Sequence, residues 1–173
     1  CNYYGVYRVY EEKDKLILLH GTTIHGVQFR DEKRENQPLA YYHKFTPIGR
    51  LLSSPEVGKN IGIIGLGAGG LSVYFRPGQE VDYFEIDPEM YFIARNLFSF
   101  LKSARGKINF IFGDARIKIN DVQDSRYDIL VVDAFSGDSI PVHLLTTEAI
   151  AEYRKHLSKK GIILFHVSNR YLN

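Results

Sequence analysis

Gly65, Gly67 and Gly70 fall in a G-x-G-x-x-G spacing within IGIIGLGAGGLSVYFRPGQEVDYFEIDP, residues 61–88, and Glu85 and Asp87 close the next apolar run. Glycines in this pattern let a turn of backbone come close to a ligand, with Gly69 adding to the open stretch. An acid about 20 residues further on accepts hydrogen bonds from ribose hydroxyls. Together these features are how a nucleotide-type cofactor is held, and Glu85 is the expected ribose acceptor. A glycine turn by itself also serves close helix–strand packing. Here it follows a strand, precedes a helix and stands in register with Glu85, which favours the cofactor.

Two further acids end apolar runs downstream. Gly113-Asp114-Ala115-Arg116 follows the third strand of the alternating region. Ligands of open parallel sheets sit beyond the carboxyl ends of the strands, so Asp114 is placed to accept from an exocyclic amine such as that of adenine. It also precedes a helical stretch and suits an N-cap. The two roles coexist only if different oxygens serve them. Asp133 ends the run Ile129–Val132 at the same rim, where a carboxylate can hold a cationic amine or take its proton. Asp138, between Gly137 and Pro141, serves either this site or plain turn formation. His25, His43, His143 and His166 have no metal-ligand spacing and are expected to be structural, with His43 facing the pocket beside Tyr42. No metal is expected, and no Ser-His-Asp arrangement argues for hydrolysis.

These acids need strand ends to carry them. Strands are expected at 61–65, 80–86, 107–112, 127–132 and 162–167, with helices at 69–75, 88–102, 114–121 and 146–158. Strand–helix alternation implies an α/β fold, a mostly parallel sheet with helices on both faces. Residues 1–30 are rich in aromatic and β-branched types and predict two or three antiparallel strands; RDEKRENQP at 30–38 reads as a solvated loop, and 41–54 as helix-containing. A small β-rich unit over 1–45 and a larger α/β unit over 46–173 are expected. Arg154, Lys155, Lys159 and Lys160 are expected to complement the macrodipole at the end of the last helix.

The composition bounds the function classes. In 173 residues, 45% are hydrophobic and 24% charged, which suffices for a real core. A formal charge of +2 is too small to argue for nucleic acid. No run is long enough for a transmembrane helix. Cys1 is the single cysteine, which excludes an internal disulfide framework and points to a reducing, cytoplasmic setting. A chain that starts at Cys1 rather than Met reads as a piece of a longer protein, which leaves room for a membrane region elsewhere.

From about Tyr4 to Tyr171 the sequence resembles the spermidine synthase (polyamine aminopropyltransferase) family, through IIGLGAGG, YFEIDP, FGDAR and LVVDAFSGDSIP. Within it, TTIHGVQ at 22–28, Tyr41-Tyr42, PVHLLT at 141–146 and HVSNRYL at 166–172 look characteristic of spermidine synthase-like domains often fused to multipass membrane regions. The resemblance implies a methyltransferase-like Rossmann fold behind a small antiparallel β domain. It also implies decarboxylated S-adenosylmethionine as cofactor, a small amine such as putrescine as acceptor, and a homodimer. Carried over by position, the glycine turn and Glu85 hold the nucleoside, Asp114 and Ala115 lie at adenine, and Asp133 orients and deprotonates the attacking amine. Gln28, Tyr42, Ser136 and Asp138 fall on the acceptor side. The family usually has an Asp inside the glycine turn, contacting the aminopropyl ammonium, where this chain has Ala68, and a second Asp three residues after the catalytic one, where it has Ser136. Those departures keep S-adenosylmethionine and methyl transfer open, and also a cofactor- or polyamine-sensing domain without turnover. An NAD dehydrogenase would leave Asp114 and the Asp133 loop unexplained.

Overall fold

In a computed structural model, residues 5–134 and 141–166 are described. Three strands come first, β1 (Tyr7–Glu12), β2 (Lys15–His20) and β3 (Thr23–Phe29), paired antiparallel in that order. Positive φ at Lys13 and at Gly21 turns the chain between them. The helix expected over 41–54 is a 3₁₀ turn at Ala40–Tyr42 followed by α1 (Pro47–Ser53). Thr46 caps α1 by accepting from the Gly49 amide at 3.2 Å, and Pro47 occupies the first helical position, where its missing N–H costs nothing.

The second sheet holds β4 (Asn60–Ile64), β5 (Glu80–Glu85), β6 (Lys107–Phe112), β7 (Tyr127–Val132) and β8 (Leu157–Phe165), all parallel, in the order β6-β5-β4-β7-β8. The chain winds outward from β4 through β5 to β6, then returns to the far side of β4 with β7. That reversal opens a crevice at the carboxyl ends of β4 and β7, where parallel sheets bind ligands. Alternate residues feed two cores. Ile61, Ile63, Tyr83 and Val131 pack on one face with Ile48, Leu52 and Leu18 of β2, whereas Ile64, Phe84, Leu130 and Val132 pack on the other with Tyr127 and Tyr153. Leu18 is fully buried, and its burial contributes roughly 2 kcal/mol to docking the small sheet on the large one.

Several helices differ from their expected spans. The segment after the glycine turn forms only a 3₁₀ turn, Gly70–Tyr74, since Gly69 enters it left-handed and Pro77 soon follows. The expected helix at 88–102 breaks into α2 (Pro88–Leu97) and α3 (Phe100–Ser103). At the break, the Ser99 amide donates to the Gln28 side chain at 3.1 Å instead of continuing the helical ladder. The 114–121 stretch is α4 (Ala115–Lys118) plus a 3₁₀ turn, Ile119–Asp121. The last helix, α5 (Thr147–Lys155), stops early because β8 begins at Leu157, which pairs with Tyr127 ahead of a register shift. Lys159 and Lys160 therefore lie exposed in β8, and only Arg154 and Lys155 face the end of the helix dipole.

Candidate functional site

The glycine turn joins the ends of β4, β5 and β7. The Gly65 amide donates to the Phe84 carbonyl at 2.9 Å, and the Asp133 amide donates to the Ile64 carbonyl at 2.8 Å. Gly65 has φ +99°, and a Cβ there would stand 2.3 Å from the Asp133 carbonyl oxygen. Gly67, at φ +54°, lies under the His25 carbonyl, 2.8 Å from where its Cβ would be. Glycine is what lets three segments of the chain meet at this point. Gly65 and Gly67 line a cavity of about 560 Å³ at the crevice. Gly69 and Gly70 do not line it: the first packs on Leu101 and the second on the Tyr42 ring. Of the four expected cofactor glycines, two therefore face the cavity and two serve packing.

Glu85, Asp114, Ala115 and Asp133 all line the same cavity. Both Glu85 oxygens accept backbone amides, Oε2 from Leu66 at 3.0 Å and Oε1 from Asp87 at 2.8 Å. These bonds aim the carboxylate and leave each oxygen a further lone pair for a ligand hydroxyl. Burial lifts its pKa to about 7, against the opposing pull of the Asp87, Leu66 and Ile86 amides. Asp87 caps α2 through Oδ1, accepting from the Glu89 amide at 2.9 Å, and takes the Tyr7 hydroxyl on Oδ2 at 2.5 Å. Asp114 divides its oxygens as its two roles require. Oδ1 accepts from the Arg116 amide at 2.9 Å and caps α4, while Oδ2 lies 3.6 Å from His143 Nε2 on the cavity side.

Asp133 is 8% exposed. Its Oδ2 accepts from the Tyr42 hydroxyl at 2.7 Å, and its Oδ1 is buried with no hydrogen-bond partner among the described residues. Burial raises its pKa to about 7, and the Tyr42 bond opposes the rise. A buried carboxylate oxygen without a donor is costly unless a ligand supplies one. Tyr42 stands behind Asp133 rather than on the cavity wall, its own ionisation pushed well up by burial and by the Asp133 charge.

Not every expected site residue gathers here. Gln28 lies elsewhere: its amide nitrogen donates to Ser99 Oγ at 2.7 Å and to the Glu35 carbonyl at 3.1 Å, tying β3 to the break between α2 and α3. His43, expected at the pocket, packs its ring 5.1 Å from Phe45 and does not line the cavity. Ser136 and Asp138 lie outside the described residues. Tyr7, His20, His25 and His143 do line the cavity and were not expected there. Tyr7, His20 and His25 come from the small sheet, and residue spacing carries no signal of how one sheet docks on another. Among the described residues no group of His, Cys, Asp and Glu could hold a metal ion.

No family model matches the chain. It is 35% identical over 128 residues to a polyamine aminopropyltransferase of Vibrio vulnificus (strain CMCP6), covering 71% of this chain and 42% of that one. The chain is a sequence relative of the spermidine synthase family. It spans less than half the length of that relative. In fold it is similar to a probable spermidine synthase from Corynebacterium glutamicum ATCC 13032, at TM-score 0.74 and 19% identity, over 94% of this chain and 61% of that one. It is also similar in fold to human methyltransferase-like protein 13 in complex with SAH, at TM-score 0.57 and 23% identity, over 72% and 64%. The architecture is the methyltransferase-like Rossmann fold behind a small antiparallel sheet. Among the described residues no helix is long and apolar enough to cross a membrane.

Proposed function

We propose that the chain binds an adenosyl sulfonium, decarboxylated S-adenosylmethionine or S-adenosylmethionine, and transfers an aminopropyl group from it to an amine such as putrescine. The Oδ1 of Asp133, buried at the cavity wall and without a hydrogen-bond partner among the described residues, carries this reading. Glu85 would take the ribose hydroxyls on its remaining lone pairs, and Asp114 Oδ2 the adenine amine while Oδ1 keeps the helix cap. The sulfonium supplies an electrophilic carbon and a good leaving group. Asp133 would orient the attacking amine and take the proton it loses as the new C–N bond forms. A carboxyl poised near pH 7 is suited to both accepting and releasing that proton. Ser136 and Asp138 on the acceptor side, a unit boundary at 45/46, a cytoplasmic setting and a homodimer belong to this proposal as well.

Ala68 favours methyl transfer as a second reading. It is fully buried, and a Cβ on Gly26 of β3 would come within 2.2 Å of its own Cβ, so this part of the turn presents no carboxylate to an aminopropyl ammonium. Mass spectrometry of the product formed with putrescine and each sulfonium separates the readings by the mass gained. The aminopropyl reading expects turnover with the decarboxylated compound that Asp133→Asn abolishes. Methylated product alone would overturn it in favour of the second reading, and tight binding without product would point to a sensing domain.

A further inference from the structure

A ligand that reaches from Glu85 at the end of β5 to Asp133 just past the end of β7 must cross the end of β4, over Gly65–Gly67, because β4 lies between the other two strands. The turn offers that crossing little besides backbone, since the side chains it contributes, Leu66 and Ala68, are apolar and buried. Among the described residues, polarity there comes from the small sheet. His25 lines the cavity with its carbonyl against Gly67 and accepting from the Ala68 amide at 3.4 Å. Its Nε2 is buried and has no hydrogen-bond partner among the described residues. The ring sits 5.4 Å from His20, whose ring is 4.7 Å from Tyr7, the residue bonded to Asp87 beside Glu85. One wall of the cavity is thus a continuous aromatic ladder from the ribose end to the turn.

Resting on the adenosyl reading above, we propose that His25 is a ligand-contacting residue whose Nε2 hydrogen-bonds the polar tail carried on the sulfur, so that the small sheet reads the tail while the large sheet reads the nucleoside. The contact is uncharged: burial, and the neighbouring His20, lower the His25 pKa to about 4. A neutral imidazole neither repels an ammonium nor demands a carboxylate, which suits a site whose turn has no acid at position 68.

Calorimetric titration of the whole chain with S-adenosylmethionine, its decarboxylated form and methylthioadenosine tests this, because methylthioadenosine has the nucleoside and sulfur without the polar tail. One hydrogen bond of ordinary net strength corresponds to about a fivefold change in affinity. His25→Phe, or His25→Leu where Phe does not seat, is expected to weaken at least one tail-bearing ligand about that much, leaving methylthioadenosine within about twofold. Equal weakening of all three ligands, or of none, overturns the role of His25 while leaving the adenosyl reading standing. If the unaltered chain binds no adenosyl compound, the adenosyl reading itself falls and the inference with it.

Discussion

Replacing Asp133 with Asn removes the ionisation of this side chain but keeps an acceptor oxygen for the Tyr42 hydroxyl. In the unfolded chain the carboxyl titrates near its ordinary value of 3.8, whereas in the fold burial raises it to about 7. The folded state therefore holds a proton that the unfolded state has released throughout the interval between those values. Stability from this group is fully present below about pH 4 and is lost as pH rises through 7, with full ionisation costing the fold about 4 kcal/mol. Between pH 5 and pH 8 the cost grows by about 2.5 kcal/mol, the remainder being already present at pH 5. Asn does not titrate, and its amide nitrogen in place of Oδ1 adds an offset that does not vary with pH. Glu85 titrates in both chains and cancels in the comparison. Urea unfolding of both chains without ligand, at pH 5 and pH 8 and equal salt, is expected to show Asp133→Asn gaining about 2.5 kcal/mol on the parent between the two, or about 5–10 °C in Tm. The same substitution is expected to abolish transfer. A stability difference that is flat with pH, or that falls, would refute the claim that burial holds this carboxyl near neutrality.

Tyr42→Phe removes the hydrogen bond that opposes the rise of the Asp133 pKa. The pH profile of turnover is expected to move upward, with a stability loss of about 1 kcal/mol by denaturant titration. Ala68→Asp, which puts into the turn the acid that the family resemblance implies there, is expected to destabilise by about 3–5 kcal/mol, since Ala68 is fully buried against Gly26 and a carboxylate there would be taken out of water; stability near the parent's would show that the small sheet yields there. Glu85→Gln is expected to weaken methylthioadenosine at least about tenfold in calorimetry at pH 8, because hydrogen bonds to a charged acceptor are lost. Because Glu85 ionises near pH 7 in the fold, affinity in the parent chain is expected to rise from pH 5 to pH 8, and a pH-independent affinity would remove Glu85 from the ribose.

Much of the large sheet was legible. Four of its five strands were expected within one residue of where they lie, because buried parallel strands read as continuous apolar runs, whereas the fifth, expected from 162, begins five residues earlier at Leu157. Helix ends were less legible. Ser99 leaves its helix for a side chain 71 positions away, and β8 starts at Leu157 because Tyr127 pairs with it. Neither partner is visible within a local window.

The sequence by itself determined the strand-end positions of Glu85, Asp114 and Asp133 and the glycine spacing between them, because these depend on local patterning and on where an apolar run must stop. Tertiary structure alone decided which groups share the cavity and in what electrostatic state. Gln28 was turned to Ser99 and away from the cavity, while Tyr7, His20 and His25 were brought into it. Docking the small sheet set those neighbours, and burial shifted Asp133 and Glu85 toward pH 7. Both effects are sums over contacts between residues far apart in the chain, so no local spacing encodes them.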